Sequence, residues 1–199
     1  MFRFVSVIFI ILIYTESCFS AVVVYTYQNT SAVFRGSTNS RSTTGAAYVV
    51  KIEFYEQNQN TIAVTLNTGG TTNVGDILKA RLYYTGNVDA FSTTTQYGSD
   101  INNPSGTMTF TGSVAGGGFL QYFWLCYDIS STATIGNVID AEGVSVTDDV
   151  NGDFFSNPSP EAPAGSRAIT NIYVVSSTVN GTTTDAVSLR WAITEANLN

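Results

Sequence analysis

FLQYFWLCYDI, Phe119–Ile129, is the stretch whose reading decides the fold. At the two-residue period of a strand, Leu120, Tyr122, Trp124 and Cys126 fall on one face, and Phe123, Leu125, Tyr127 and Ile129 on the other. Both faces are apolar. Such a strand needs cover on both sides, which places it in the middle of a sheet packed against another layer. It builds a core and leaves little room there for catalysis.

On its N-terminal side, residues 46–55 and 61–66 read as successive strands joined by a turn at 57–60. In the first, Val50, Ile52 and Phe54 point inward and Lys51 and Glu53 outward; in the second, Ile62, Val64 and Leu66 are the expected buried set. Residues 77–84 return as a strand with Leu78, Ala80, Leu82 and Tyr84 on one side and Lys79, Arg81 and Tyr83 on the other. A long polar connection, 86–106, carries the apolar anchors Phe91 and Tyr97, and a short strand at 107–110 precedes Gly116, Gly117 and Gly118. That glycine run reads first as a flexible turn. A phosphate cradle is the weaker reading, because neither a lysine nor a strand-to-helix transition follows. Residues 21–27 read as an edge strand, and 138–146 as the last core strand, with Val144 and Val146 inward. Short strands joined by Gly- and Asn-rich turns predict an all-β, antiparallel two-sheet β-sandwich.

Composition agrees with that class and excludes several functions. Hydrophobic residues make up 44% and charged residues 12% of the 199 residues, enough apolar material for a core without staples. The formal charge is −7 with a pI near 4.3, so the chain has no basic footprint for nucleic acid. It contains no histidine, so neither Ser-His nor Cys-His pairs can be built within it. Cys126, set among Trp124, Leu125 and Tyr127, reads as an inert core thiol.

The two ends read differently from the middle. Residues 1–20 have Arg3, an apolar run over 4–14 and a polar end of small residues, the layout of a secretory signal helix cleaved before Ala21. A lipoprotein signal, with Cys18 acylated, is the alternative, although Thr15 and Glu16 stand where a leucine and a small residue are wanted. The expected location is therefore secreted or cell-surface, with no membrane contact beyond export. Domain bounds follow as 21–155 for the sandwich, 156–167 for a proline-containing linker, and 168–199 for the start of a second unit. That unit is a strand followed by an amphipathic helix over 186–197.

Carboxylates are the abundant reactive groups. Asp149, Asn151 and Asp153 have the alternate spacing that opens a calcium loop, which makes calcium the candidate cofactor. Phe154 stands where the sharp-turn glycine is expected and Pro160 where the closing glutamate would be, so a solvated turn is the competing reading. Asp140 and Glu142 share a strand face, as a glycosidase pair would, or as an ordinary wet face would. Arg35 and Arg41, in a polar loop, could clamp a carboxylate or sulfate or simply be solvated. Tyr55, Tyr83 and Tyr84 are the candidates for a surface platform that stacks on sugars.

The segments ILKARLYYTGNVDAFSTTTQYG, PSGTMTFTG and LQYFWLCYDISSTATIGNVIDAEGVSV together resemble the N-terminal domain associated with BNR-repeat sialidases. The most specific pieces are the YYTG beginning at Tyr83, the FxxxxxxG from Phe91 to Gly98 and the YFWLxYDI from Tyr122 to Ile129. Gln121 departs from the asparagine usual in that family, a difference expected to bear on a turn. The resemblance implies an accessory β-sandwich with no catalytic residues to carry over, carbohydrate as partner, and downstream domains of a longer polypeptide. The alternative it implies is the N-terminal part of a sialidase or other glycoside-processing enzyme with its catalytic domain elsewhere. On these grounds the chain is expected not to be an enzyme. SLRWAITEAN, beginning at Ser188, resembles the cap that precedes right-handed parallel β-helices of bacterial surface proteins.

Overall fold

A computed structural model describes residues 24–41, 45–56, 59–155 and 159–171. Twelve strands form among them. In chain order these are β1 (Val24–Gln28), β2 (Val33–Phe34), β3 (Val50–Glu56), β4 (Asn60–Asn67), β5 (Ile77–Tyr84) and β6 (Gln96–Asn102). β7 (Thr107–Ala115), β8 (Phe119–Ile129), β9 (Val138–Ile139), β10 (Glu142–Asp148), β11 (Gly152–Phe155) and β12 (Arg167–Thr170) follow. The expected signal helix and the tail helix lie outside the described residues.

The doubly apolar strand β8 takes the centre of a five-stranded sheet ordered β1-β3-β8-β5-β6. A four-stranded sheet, β11-β10-β4-β7, supplies the facing layer, and a small sheet, β2-β12-β9, completes the set. Phe123, Leu125 and Tyr127 of β8 share one core with Val50, Ile52 and Phe54 of β3 and with Val64, Leu66, Phe110 and Val146 of the second sheet. This is the all-β sandwich, antiparallel except where β12 pairs parallel with β2. Burying a side chain of this size stabilises by about 1.5–3 kcal/mol, so each inward residue of β3 and β8 adds substantially to the cohesion of the two layers.

Two bulges move residues off their expected faces. Between Thr61 and Ala63 the pairing of β4 with β7 shifts register, so Thr61 turns inward and Ile62 is left 36% exposed. A similar shift between Ile77 and Lys79 against β8 buries Ile77 and leaves Leu78 49% exposed. Strict alternation, which placed Ile62 and Leu78 in the core, fails at both positions. Residues 96–102, expected within a polar connection, form β6 on the sheet edge. Tyr97 anchors it by entering the core and donating its hydroxyl to the Thr61 carbonyl at 3.1 Å.

Gln121 is not in a turn. It points into the core from β8, is fully buried, and accepts from the Thr61 hydroxyl at 3.4 Å while its Nε2 has no partner. Arg167, placed by the sequence at the end of a linker, opens β12 and is fully buried. Its guanidinium donates to the carbonyls of Ser31 (2.7 Å), Ala47 (3.2 Å), Tyr48 (2.9 Å) and Ala32 (3.2 Å). Burial lowers its pKa to about 10, and those four carbonyls take the place of a carboxylate.

Candidate functional site

The outer face of the five-stranded sheet is built from the residues that the pleat turns away from the core. Register places Tyr27 beside Lys51, Lys51 beside Trp124, and Trp124 beside Tyr83; in the next row Tyr25, Glu53 and Tyr122 are neighbours, and then Tyr55 and Leu120. Tyr25, Tyr27 and Tyr55 are 47%, 43% and 41% exposed. Tyr122, Trp124, Tyr83 and Cys126 are buried instead, under Tyr48 and Phe91. Tyr48 meets the Trp124 ring edge-on at 4.9 Å, and Phe91 meets it at 5.8 Å. The outer face of β8 is therefore covered as its sequence requires, but by loop aromatics rather than by another sheet.

Lys51 stands where the buried and exposed rings meet. Its Nζ lies 4.3 Å from the centroid of Tyr27 and 5.3 Å from that of Tyr122, a cation over aromatic faces. It also donates to both oxygens of Asp89 at 3.0 and 3.1 Å and lies 3.6 Å from Glu53. Burial pulls the Lys51 ammonium down, and the hydrogen bond and charge of Asp89, with Glu53, more than restore it, leaving its pKa above the usual value. Of the three tyrosines named from the sequence, Tyr55 lies open on this face, Tyr83 is buried within its aromatic cluster, and Tyr84 packs inward on Phe123 at 5.0 Å. Tyr25 and Tyr27 were missed as platform residues. The alternation of VYTYQ was the available signal, since it gives both tyrosines one face of β1.

A polar network closes the other end of the same face. Arg81 pairs with Asp128 at 2.6 Å and with Asp100 at 3.3 Å, and Lys79 reaches Asp100 at 2.7 Å. Asn39 Oδ1 accepts from the Tyr83 hydroxyl at 2.9 Å and from Arg81 at 3.1 Å. The Lys79 hydrogen bond holds the Asp100 carboxyl below its ordinary value despite partial burial. With its charges matched, this network fastens the loop carrying Asn39 to the sheet.

Asp140 and Glu142 do sit together, under the loop that joins β4 to β5. A Cβ on Gly70, where φ is 78°, would lie 2.3 Å from Asp140 Oδ2, and one on Gly69 would lie 2.3 Å from Glu142 Cδ, so a side chain at either position would push a carboxylate aside. Burial raises the Asp140 pKa to about 6; the Ala141 amide opposes the rise and the Glu142 charge adds to it.

The three calcium candidates are engaged separately. Asp149 accepts from the backbone and side-chain nitrogens of Asn60 at 3.0 and 2.7 Å, Asn151 donates to Asp148 at 2.8 Å, and Asp153 accepts from the Thr147 hydroxyl. Phe154 is drawn to Phe54, ring to ring at 5.6 Å, so the chain returns as β11 where a calcium loop would continue around an ion. Arg35 and Arg41 line one concavity of about 350 Å3 together with Phe34, Ser37 and Asn39. The glycine run 116–118 forms the β7–β8 connection, where Gly118 has a φ of 68°.

No family model and no curated protein matches the chain. Among solved structures it is similar to a Hadza microbial sialidase, at 13% identity over 76% of this chain and 31% of that one, with a TM-score of 0.49. It is also similar to a family 123 glycoside hydrolase from Clostridium perfringens, at 14% identity over 73% of this chain and 23% of that one, with a TM-score of 0.32. The chain thus spans less than a third of either protein. The expectation that it is not an enzyme is corrected here: both neighbours bear the names of glycan-cleaving enzymes, and the exclusion is withdrawn. A likeness this distant assigns no reaction to the chain.

Proposed function

We propose that the chain is an accessory β-sandwich module of a secreted or cell-surface protein, and that it contacts carbohydrate through the outer face around Lys51. The observation that carries the reading is the exposure of Tyr25, Tyr27 and Tyr55 on one sheet face. Flat rings held on a rigid sheet lose little entropy when a sugar stacks on them, and Glu53 and Asp89 offer acceptors for hydroxyl groups beside them. The resemblance to domains attached to BNR-repeat sialidases and the leader-like first 20 residues support the same reading. On it, the partners are glycans and the downstream domains of a longer polypeptide.

A glycan array probed with the chain and with the double variant Tyr25→Ala/Tyr55→Ala tests this. Binding that the double variant loses supports the platform, and an array without any binding rejects it.

A second reading is favoured by Asp140, whose raised pKa of about 6 and neighbour Glu142 suit a proton donor in a glycoside-processing enzyme. Turnover of an aryl glycoside or sialoside reporter that Asp140→Asn removes is its test.

A further inference from the structure

The loop between β2 and β3 holds two arginines that nothing in the described structure neutralises. The chain has eight Lys and Arg residues, of which Arg3 and Arg190 lie outside the described residues. Of the remaining six, Lys51, Lys79 and Arg81 pair with carboxylates, and Arg167 is capped by carbonyls. Arg35 and Arg41 alone, among the described residues, have no acid within ion-pair distance, in a protein whose net charge is −7. In so acidic a chain, two cations left unmatched around one concavity call for a cause.

Backbone geometry brings them together. The Phe34 amide donates to the Arg41 carbonyl at 3.0 Å, closing the segment on itself so that Arg35 and Arg41 flank the closure. The closed loop is fastened to the end of β8: Gly36 N donates to Ser130 O, Ile129 N to Ser37 O, Asn39 N to Asp128 Oδ1, and Ser40 N to Tyr127 O. Gly36, Asn39 and Ser40 all have positive φ, at 72°, 50° and 49°, a conformation that those fastenings impose on two non-glycine residues. Both arginines line the 350 Å3 concavity, Arg35 partly buried and Arg41 exposed.

The geometry points to a binding site for a small oxyanion, the carboxylate or sulfate group of an acidic ligand, held by the guanidinium groups of Arg35 and Arg41 at the concavity that both residues line. Guanidinium forks suit this chemistry because each offers two parallel N–H bonds to a pair of oxygens. The site is independent of the tyrosine platform.

Titration of the full chain with sodium glucuronate and with sodium sulfate, against sodium chloride at matched ionic strength, tests it. A saturable rise in melting temperature with glucuronate, with sulfate or with both, absent with chloride, supports the site and shows which group it takes. Arg35→Gln and Arg41→Gln should each weaken binding roughly tenfold, and Arg35→Lys/Arg41→Lys should weaken it less, since charge remains while the fork is lost. A response equal to that of chloride, or one that survives Arg35→Gln/Arg41→Gln, overturns the proposal. Amide shifts of the unaltered chain provide a readout that needs no variant to fold: they should concentrate in residues 34–41, and shifts dispersed elsewhere count against the site.

Discussion

Ser40 and Tyr127 bond to each other three times. The Ser40 amide donates to the Tyr127 carbonyl at 2.6 Å, the Ser40 hydroxyl donates to the same carbonyl at 3.2 Å, and the Tyr127 amide donates to the Ser40 hydroxyl at 2.7 Å. The last paired residue of β3 against β8 is Val50, opposite Leu125, so Ser40 continues the ladder where β3 runs out. Replacing it with alanine strands a buried amide and should cost about 1–3 kcal/mol. Ser40→Gly loses the same hydroxyl but adopts the φ of 49° freely, and should be more stable than Ser40→Ala by about 1 kcal/mol. Urea unfolding of both variants measures the two effects.

Arg167 should matter more than any single core methyl group. Arg167→Ala leaves four carbonyls short of a donor and opens a void, and should destabilise by about 3 kcal/mol or more. Arg167→Lys keeps the charge without the planar fork and should fall between the variant and the native chain. Equal stability of native chain and Arg167→Ala in guanidinium unfolding contradicts this account.

Asp140 should give stability a distinctive dependence on pH. Its folded pKa, about 6, is raised above the ordinary 3.8, so the folded chain binds the extra proton between those values. The stabilisation is therefore complete below about pH 4 and is lost as pH rises through about 6. Asp140→Asn removes the dependence. Because the group is only half-buried, the gap between variant and native chain at pH 7 should be about 1 kcal/mol in favour of the variant, closing below pH 4. Melting temperatures at pH 4, 5, 6 and 7 follow it.

Cys126 should be silent in the folded state. It is fully buried, and burial pushes its thiol well above the usual range. Alkylation of the Cys126 peptide, read by mass spectrometry, should proceed only as fast as the domain opens and should quicken in parallel with added urea. Fast labelling in native buffer contradicts the burial.

The interior strand was legible because β8 is apolar at both parities, a pattern that only a doubly covered strand satisfies. The rows of Val50, Ile52 and Phe54 inward and Lys51 and Glu53 outward were legible for the same reason. Ile62 and Leu78 were misplaced because a bulge inserts one residue without any local mark in composition. The polar stretch holding β6 hid its strand because an edge with one core anchor, Tyr97, needs few apolar residues. Nor could spacing reveal that Phe34 and Arg41 close a loop, or that Asp89 reaches Lys51 from a segment far away in the chain.

The way β12 is held has a mechanical consequence. Tension applied at residue 171 pulls along a strand that lies parallel to β2, with Arg167 hooked over carbonyls of two separate loops. Under such a pull these bonds are strained together in shear instead of opening one after another. A domain tethered at that point should resist detachment by flow or by a moving surface until the guanidinium hook lets go.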